Sequence, residues 1–167
     1  MLPLSQAGTC PDDLKEQAVR RFCERPANFP TGRPYNCCES ILLTLADAAG
    51  LESSAVPRIG TAIGAGVSLN GLLCGAISGV AILIGAMYGR RDSVESPLLA
   101  WDLTDRYVRE FITQFGAVNC GQLTKLDLKT PDGLKEYFTR VHDYECTERI
   151  RFAIEKAADI LSRRKQE

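Results

Sequence analysis

From Ile59 to Gly89 the chain carries no charged residue, although 25% of the whole sequence is Asp, Glu, Lys or Arg. The same stretch spaces glycines four apart, at Gly60/Gly64, Gly71/Gly75/Gly79 and Gly85/Gly89. A helix that is apolar all round must be hidden from water, in lipid or in a protein core. Small residues at this spacing let backbones approach closely in either setting. Ser68 and Asn70 interrupt the stretch, so the continuous apolar run extends only from Gly71 to Tyr88, at the margin for crossing a bilayer. Charged amphipathic segments flank it on both sides. The expectation is therefore a central buried helix in a soluble bundle rather than a membrane span.

The flanking segments punctuate themselves. Pro11 suits the first position of a helix running to about Arg25, with Asp12 and Asp13 in its first turn and Pro26 as its stop. Leu14, Ala18 and Phe22 form its inner stripe. Asn36-Cys37-Cys38-Glu39 reads as a capping box that opens a helix ending at Gly50. Ser96-Pro97 starts a long helix to Gly116, with Leu103, Tyr107, Phe111 and Phe115 on its apolar face. Asn119-Cys120-Gly121-Gln122 repeats the capping layout for a short helix to about Leu126. Thr130-Pro131 begins another, with Leu134, Phe138 and Val141 inward. Asp143 is read as the cap of the last helix, on which Cys146, Ile150, Ala153 and Ala157 share a stripe. No segment alternates with period two. The expected fold class is all-α: a single-domain compact helical bundle with a central Gly-rich apolar helix. It covers residues 11–163, between an N-terminal extension (1–10) and a tail (164–167).

Net charge is −1 and the isoelectric point is near 5.9. That balance argues against nucleic acid as a partner, because phosphate binding needs a basic face. Seven cysteines are an odd number, in a chain long enough to build a core without disulfide staples. Met1-Leu2-Pro3-Leu4-Ser5-Gln6 lacks a secretory pattern, so the expected setting is reducing and cytoplasmic.

Cysteines stand near the start of each of four helices: Cys37 and Cys38 after Asn36, Cys74 after Asn70, Cys120 after Asn119, and Cys146 after Asp143. Helix N-termini favour anions, so thiols there are expected to ionise more readily. One shared site is one reading, either a four-cysteine metal or iron–sulfur centre or a redox thiol system. Several unrelated buried cysteines is the other, since there is no Cys-x-x-Cys pair and free cysteine is a commonly buried residue.

The order Asn36-Cys37-Cys38-Glu39-Ser40, Cys74-Gly75-Ala76-Ile77-Ser78-Gly79, Phe115-Gly116-Ala117-Val118-Asn119-Cys120 and finally Cys146 resembles the redox-active family named for its cysteine pattern, C_GCAxxG_C_C. Tyr88-Gly89 after the central helix fits as well, and the resemblance covers residues 13–161. It implies four functional cysteines: Cys37, Cys74, Cys120 and Cys146. Cys38 stands where the family more often has Ala, so it is an alternate ligand beside Cys37. The resemblance also implies a redox role, and a 2Fe–2S cluster by analogy with a related cysteine domain that accompanies haem. Haem itself is not expected here, because Cys-x-x-Cys-His is absent and the sequence has 1 His.

The leading expectation is electron transfer or redox sensing through a 2Fe–2S cluster. Asn36, Gly75, Ser78, Gly79, Asn119 and His142 would surround the ligands. The alternatives are a thiol–disulfide protein using two of the cysteines, such as Cys37 with Cys74, and a structural zinc site. The redox partner is not identified by the sequence. The glycine-spaced helix makes a homodimer an expectation to be tested.

Overall fold

The computed structural model describes residues 11–28 and 32–163. Expectations for residues 1–10, including Cys10, and for the 164–167 tail lie outside the described residues.

α1 (Pro11–Cys23) has acidic residues in its first turn and Arg20 and Arg21 in its last, which complements the helix dipole. Its stripe of Leu14, Ala18 and Phe22 is buried, as expected. α2 (Cys37–Ala49) opens on the predicted capping box. Asn36 Oδ1 accepts the Cys38 and Glu39 N–H groups at 2.9 and 3.0 Å, and Asn36 N–H donates to Glu39 Oε2 at 2.8 Å. At its far end Gly50 adopts φ +64°, and Leu51 N–H donates to the Ala46 carbonyl at 2.9 Å, closing a Schellman motif.

Two short elements follow, α3 (Arg58–Thr61) and α4 (Gly64–Ser68). The second is a left-handed turn, with φ of +52° at Ala65, +67° at Gly66 and +60° at Val67. L-residues resist this conformation by about 1–2 kcal/mol each, so the surrounding structure must hold it. α5 (Gly75–Tyr88) is the central apolar helix, α6 (Leu98–Phe115) ends on Gly116 at φ +76°, and α7 is the short Cys120–Thr124. α8 (Pro131–Glu136) starts with the Thr130 hydroxyl accepting the Gly133 N–H at 3.0 Å.

The chain then departs from the predicted pattern. Tyr137–Cys146 is a π-helix that runs directly into α9 (Thr147–Arg163). Asp143 lies inside this continuous rod and caps nothing. Val141 is buried as expected, but Leu134 and Phe138 are exposed. Phe138 lies at the start of the π segment, whose wider register departs from the α-helical spacing behind the expectation, whereas Leu134 is on α8 and is exposed there.

α5 packs along α2, α1 packs on α2 and α9, and α9 also meets α5 and α6. Ile41, Leu42, Leu45, Leu83, Ile84, Tyr107, Phe111, Ile150 and Ile154 fill the shared core. Each large apolar side chain buried there contributes about 1.5–3 kcal/mol relative to exposure. The close α2–α5 approach depends on glycine. A Cβ on Gly79 would meet the Cys38 carbonyl at 3.0 Å, and one on Gly75 would meet the Cys38 nitrogen at 2.9 Å. Among the described residues there is no strand, only an isolated antiparallel bridge between Leu73 and Asn119. None of the described helices is long and apolar enough to cross a membrane. The all-α expectation with a buried central helix therefore holds.

Candidate four-thiol site

Cys37, Cys74, Cys120 and Cys146 line one small cavity, together with Ala65, Ala76, Leu123, Thr124, Tyr137 and Arg149. Different local devices deliver each thiol. The Asn36 cap sets the start of α2 and makes Cys37 its first residue. Cys74 is itself the N-cap of α5, with extended backbone. The bridge at Leu73 and Asn119 then ties the α5 entry to the α7 entry. Cys74 N–H donates to the Val118 carbonyl at 2.9 Å, and Cys120 N–H donates to the Leu72 carbonyl at 2.7 Å. Gly71 and Gly121 allow this approach, since Gly121 N–H reaches the Gly71 carbonyl at 2.9 Å. Asn119 makes no side-chain cap, so the expected repeat of the capping box is replaced by backbone pairing.

Cys146 arrives by another route. It ends the π-helix in the middle of a rod, not at a helix N-terminus. Tyr137 and Cys146 are nine positions apart (137 to 146). An α-helix would turn them to opposite faces, about two and a half turns apart. The π-helix, whose hydrogen bonds reach one residue further, covers that distance in about two turns. Both side chains therefore line the cavity, and the Tyr137 hydroxyl acts on the Cys146 sulfur in the direction that favours its thiolate.

Burial controls the protonation of these thiols. It pushes Cys120 up to about 11 and Cys146 up to about 12, and it raises Cys37 and Cys74 as well. The expectation that helix starts alone would ionise them is corrected: the loss of hydration outweighs the nearby N–H groups. Cys37 is the thiol best supplied with opposing donors. The backbone N–H groups of Ala65, Cys38 and Gly75 aim at its sulfur and favour the thiolate. The Ala65 donor is supplied by the left-handed turn, which gives that strained segment a role at the site.

The most informative wall residue is Arg149. Its side chain is 8% exposed. Nη1 approaches Cys146 Sγ at 3.7 Å, while Nη2 donates to the Leu123 carbonyl at 3.0 Å and to Glu145 at 2.8 Å. Its Nε is buried without a partner. Burial alone would lower its pKa, but Cys146, Glu145 and Cys74 hold it above the ordinary value. A buried cation with an unused donor beside four thiols favours negative charge in the cavity.

The other expected site residues divide clearly. Cys38 is fully buried, but it faces Ser78 and Gly60 and does not line the cavity. Gly75 lies against Cys37, where an added Cβ would sit 2.1 Å from the sulfur. Ser78 donates to the Gly75 carbonyl at 3.4 Å, and Gly79 supports the α2–α5 contact. Asn36 acts through its cap. His142 stands one ring away from the site, 5.4 Å from the Tyr137 ring centroid. Tyr137 and Arg149 are site residues that sequence reasoning missed. The lack of any Gly or Pro after Gly133 was the available signal that the helix does not break before Cys146.

The cavity measures about 20 Å³, little more than one water needs. That is far below the few hundred Å³ of an organic ligand pocket. No three of the four thiols lie within 4.8 Å of one another, a compactness found among the described residues only for Cys23, His142 and Asp143. Tetrahedral zinc, with Zn–S near 2.3 Å, holds its sulfurs about 3.8 Å apart. All six described cysteines are free thiols.

Fold and site together define an all-helical protein with four thiols and a cation converging on one small buried cavity. The chain belongs to the family described as "Putative redox-active protein (C_GCAxxG_C_C)", whose model matches residues 35–160. No curated protein and no solved structure matches it.

Proposed function

We propose that Cys37, Cys74, Cys120 and Cys146 hold one iron–sulfur centre of the 2Fe–2S type, and that the protein serves electron transfer or redox sensing. The observation that carries this reading is the convergence of four thiols with the orphaned Arg149 Nε on a single cavity. When bound, such a centre supplies one-electron chemistry. Arg149 would offset the negative charge of four thiolates. The Ala65, Cys38 and Gly75 N–H groups would stabilise the Cys37 sulfur, and the Tyr137 hydroxyl would do the same for Cys146. The apolar wall of Ala76 and Leu123 limits solvent access. The cavity now has room for little more than one water, so the four thiols would part around such a centre as it is built.

A second reading is a thiol–disulfide protein using Cys37 and Cys74. It draws on Cys37 and Cys74 lining the same cavity as free thiols. The raised thiol pKa values count against it, because attack needs the thiolate. Purification without oxygen, followed by iron and acid-labile sulfide analysis, separates the two. A brown protein with iron and sulfide in equal amounts supports the cluster. A colourless, iron-free protein that forms a reversible Cys37–Cys74 disulfide refutes it.

A further inference from the structure

Away from the cysteine cavity, a second group of metal-ligating side chains gathers where α1 ends against the π-helix. Cys23 closes α1, and His142 and Asp143 are neighbours in the π segment. One ligand atom from each lies within 4.8 Å of the other two. We propose that Cys23, His142 and Asp143 bind a divalent ion of the zinc class, with exchangeable water at the fourth position.

The donor set selects the metal. One sulfur, one imidazole and one carboxylate suit a borderline-soft ion, whereas calcium and magnesium want oxygen alone. Zinc bond lengths near 2.0–2.3 Å place such ligand atoms about 3.3–3.8 Å apart. The Asp143 carboxylate, now 2.5 Å from His142 Nδ1, would swing away from the ring to reach that separation, while Cys23 lies within 4.8 Å of both ligand atoms. Three protein ligands with one open position is the arrangement of an exchangeable site rather than a closed structural one.

Charge and preorganisation agree with this assignment. A thiolate and a carboxylate together balance a divalent cation, so a partly buried site becomes neutral. The Cys23 thiol lies within 4.8 Å of a ligand atom of Asp143. The ion would take the place of that thiol proton, which is released to solvent. The nearby cation is Arg151, and Glu16 already pairs with it at 2.9 Å. Glu148 also faces Arg151. The imidazole is held in place before any ion arrives. Its ring stacks on Phe22 at 4.1 Å with an 18° interplanar angle, and its side chain is 12% exposed. His142 Nδ1 lies 2.5 Å from Asp143 Oδ1, so two of the three proposed ligands already meet.

None of the three residues lines the four-thiol cavity, so this site and the proposed cluster stand or fall separately. The test is a Co²⁺ titration of the full chain, comparing wild type with Cys23→Ser and His142→Phe. Phenylalanine keeps the ring stack on Phe22. Each variant is expected to lose one bound equivalent, or to bind it at least about 100-fold more weakly. Cys23→Ser should also lose the thiolate-to-cobalt absorbance of that equivalent. Unchanged stoichiometry and affinity in folded variants would overturn the proposal. If the variants do not fold, cadmium NMR of the wild type decides. A resonance typical of one sulfur with nitrogen and oxygen supports the site, and only an all-sulfur resonance, or none, overturns it.

Discussion

Substituting alanine along α5 tests whether the helix is pressed against the thiol site. At Gly85 an added Cβ meets nothing within 4 Å. Alanine there should stabilise the protein by about 0.5–1 kcal/mol, the difference in helix propensity. At Gly79 the Cβ would lie 3.0 Å from the Cys38 carbonyl and 3.2 Å from Ile41. The propensity gain should be cancelled or slightly reversed there. At Gly75 the Cβ would lie 2.1 Å from Cys37 Sγ and 2.9 Å from the Cys38 nitrogen. The sulfur can rotate away, but the backbone of α2 cannot move without disturbing the Asn36 cap. Overpacking of this kind costs about 1–3 kcal/mol, so Gly75→Ala should be a net destabilisation despite its better propensity. Urea unfolding of the metal-free protein should rank Gly85→Ala above wild type, then Gly79→Ala, then Gly75→Ala. In thermal melts each kcal/mol should appear as about 2–4 °C. A Gly75→Ala protein as stable as Gly85→Ala would refute the close α2–α5 contact and the placement of Cys37 over Gly75.

Two further outcomes follow from the walls of the site. Tyr137→Phe removes the hydroxyl that reaches Cys146 and should cost about 0.5–1.5 kcal/mol. It should also shift the reduction potential of the loaded protein measured by voltammetry, and an unchanged potential would remove Tyr137 from the site. The metal-free protein should lose stability in alkali. Burial raises the folded pKa of Cys38 and Cys120 to about 11 and of Cys146 to about 12. A raised folded pKa means the contribution is complete below the unfolded thiol value and is lost as pH climbs towards 11–12. The loss should reach about 1 kcal/mol per thiol by pH 10. Chemical denaturation as a function of pH checks the sign, and stability that rises over this range would contradict it.

The parts of the fold written in local side-chain chemistry were legible in the sequence. The Asn36 box, the Gly50 and Gly116 stops, the Thr130 cap and the α1 stripe depend on residues within one or two turns. So did the burial of α5, because a charge-free helix has nowhere else to go. Two features were not local. The left-handed turn at Ala65–Val67 uses residues that do not favour it, held by its contacts with the α2 and α7 starts. The π register of Tyr137–Cys146 has no side-chain signature. Asp143 offered a plausible cap, and that reading hid both Tyr137 and Arg149. The four cysteines were chosen by family resemblance. The geometry adds a physical reason to separate Cys37 from Cys38, since adjacent residues at a helix start face different ways. Cys37 faces the cavity and Cys38 faces Ser78.

Iron content across single Cys→Ser variants purified without oxygen tests the central claim most directly. Substitution at Cys37, Cys74, Cys120 or Cys146 should abolish or sharply reduce bound iron and sulfide. Substitution at Cys38, buried but turned away from the cavity, should leave both at the wild-type level. Iron lost from Cys38→Ser and retained by Cys37→Ser, or an unchanged iron content in all four cavity variants, would contradict the account.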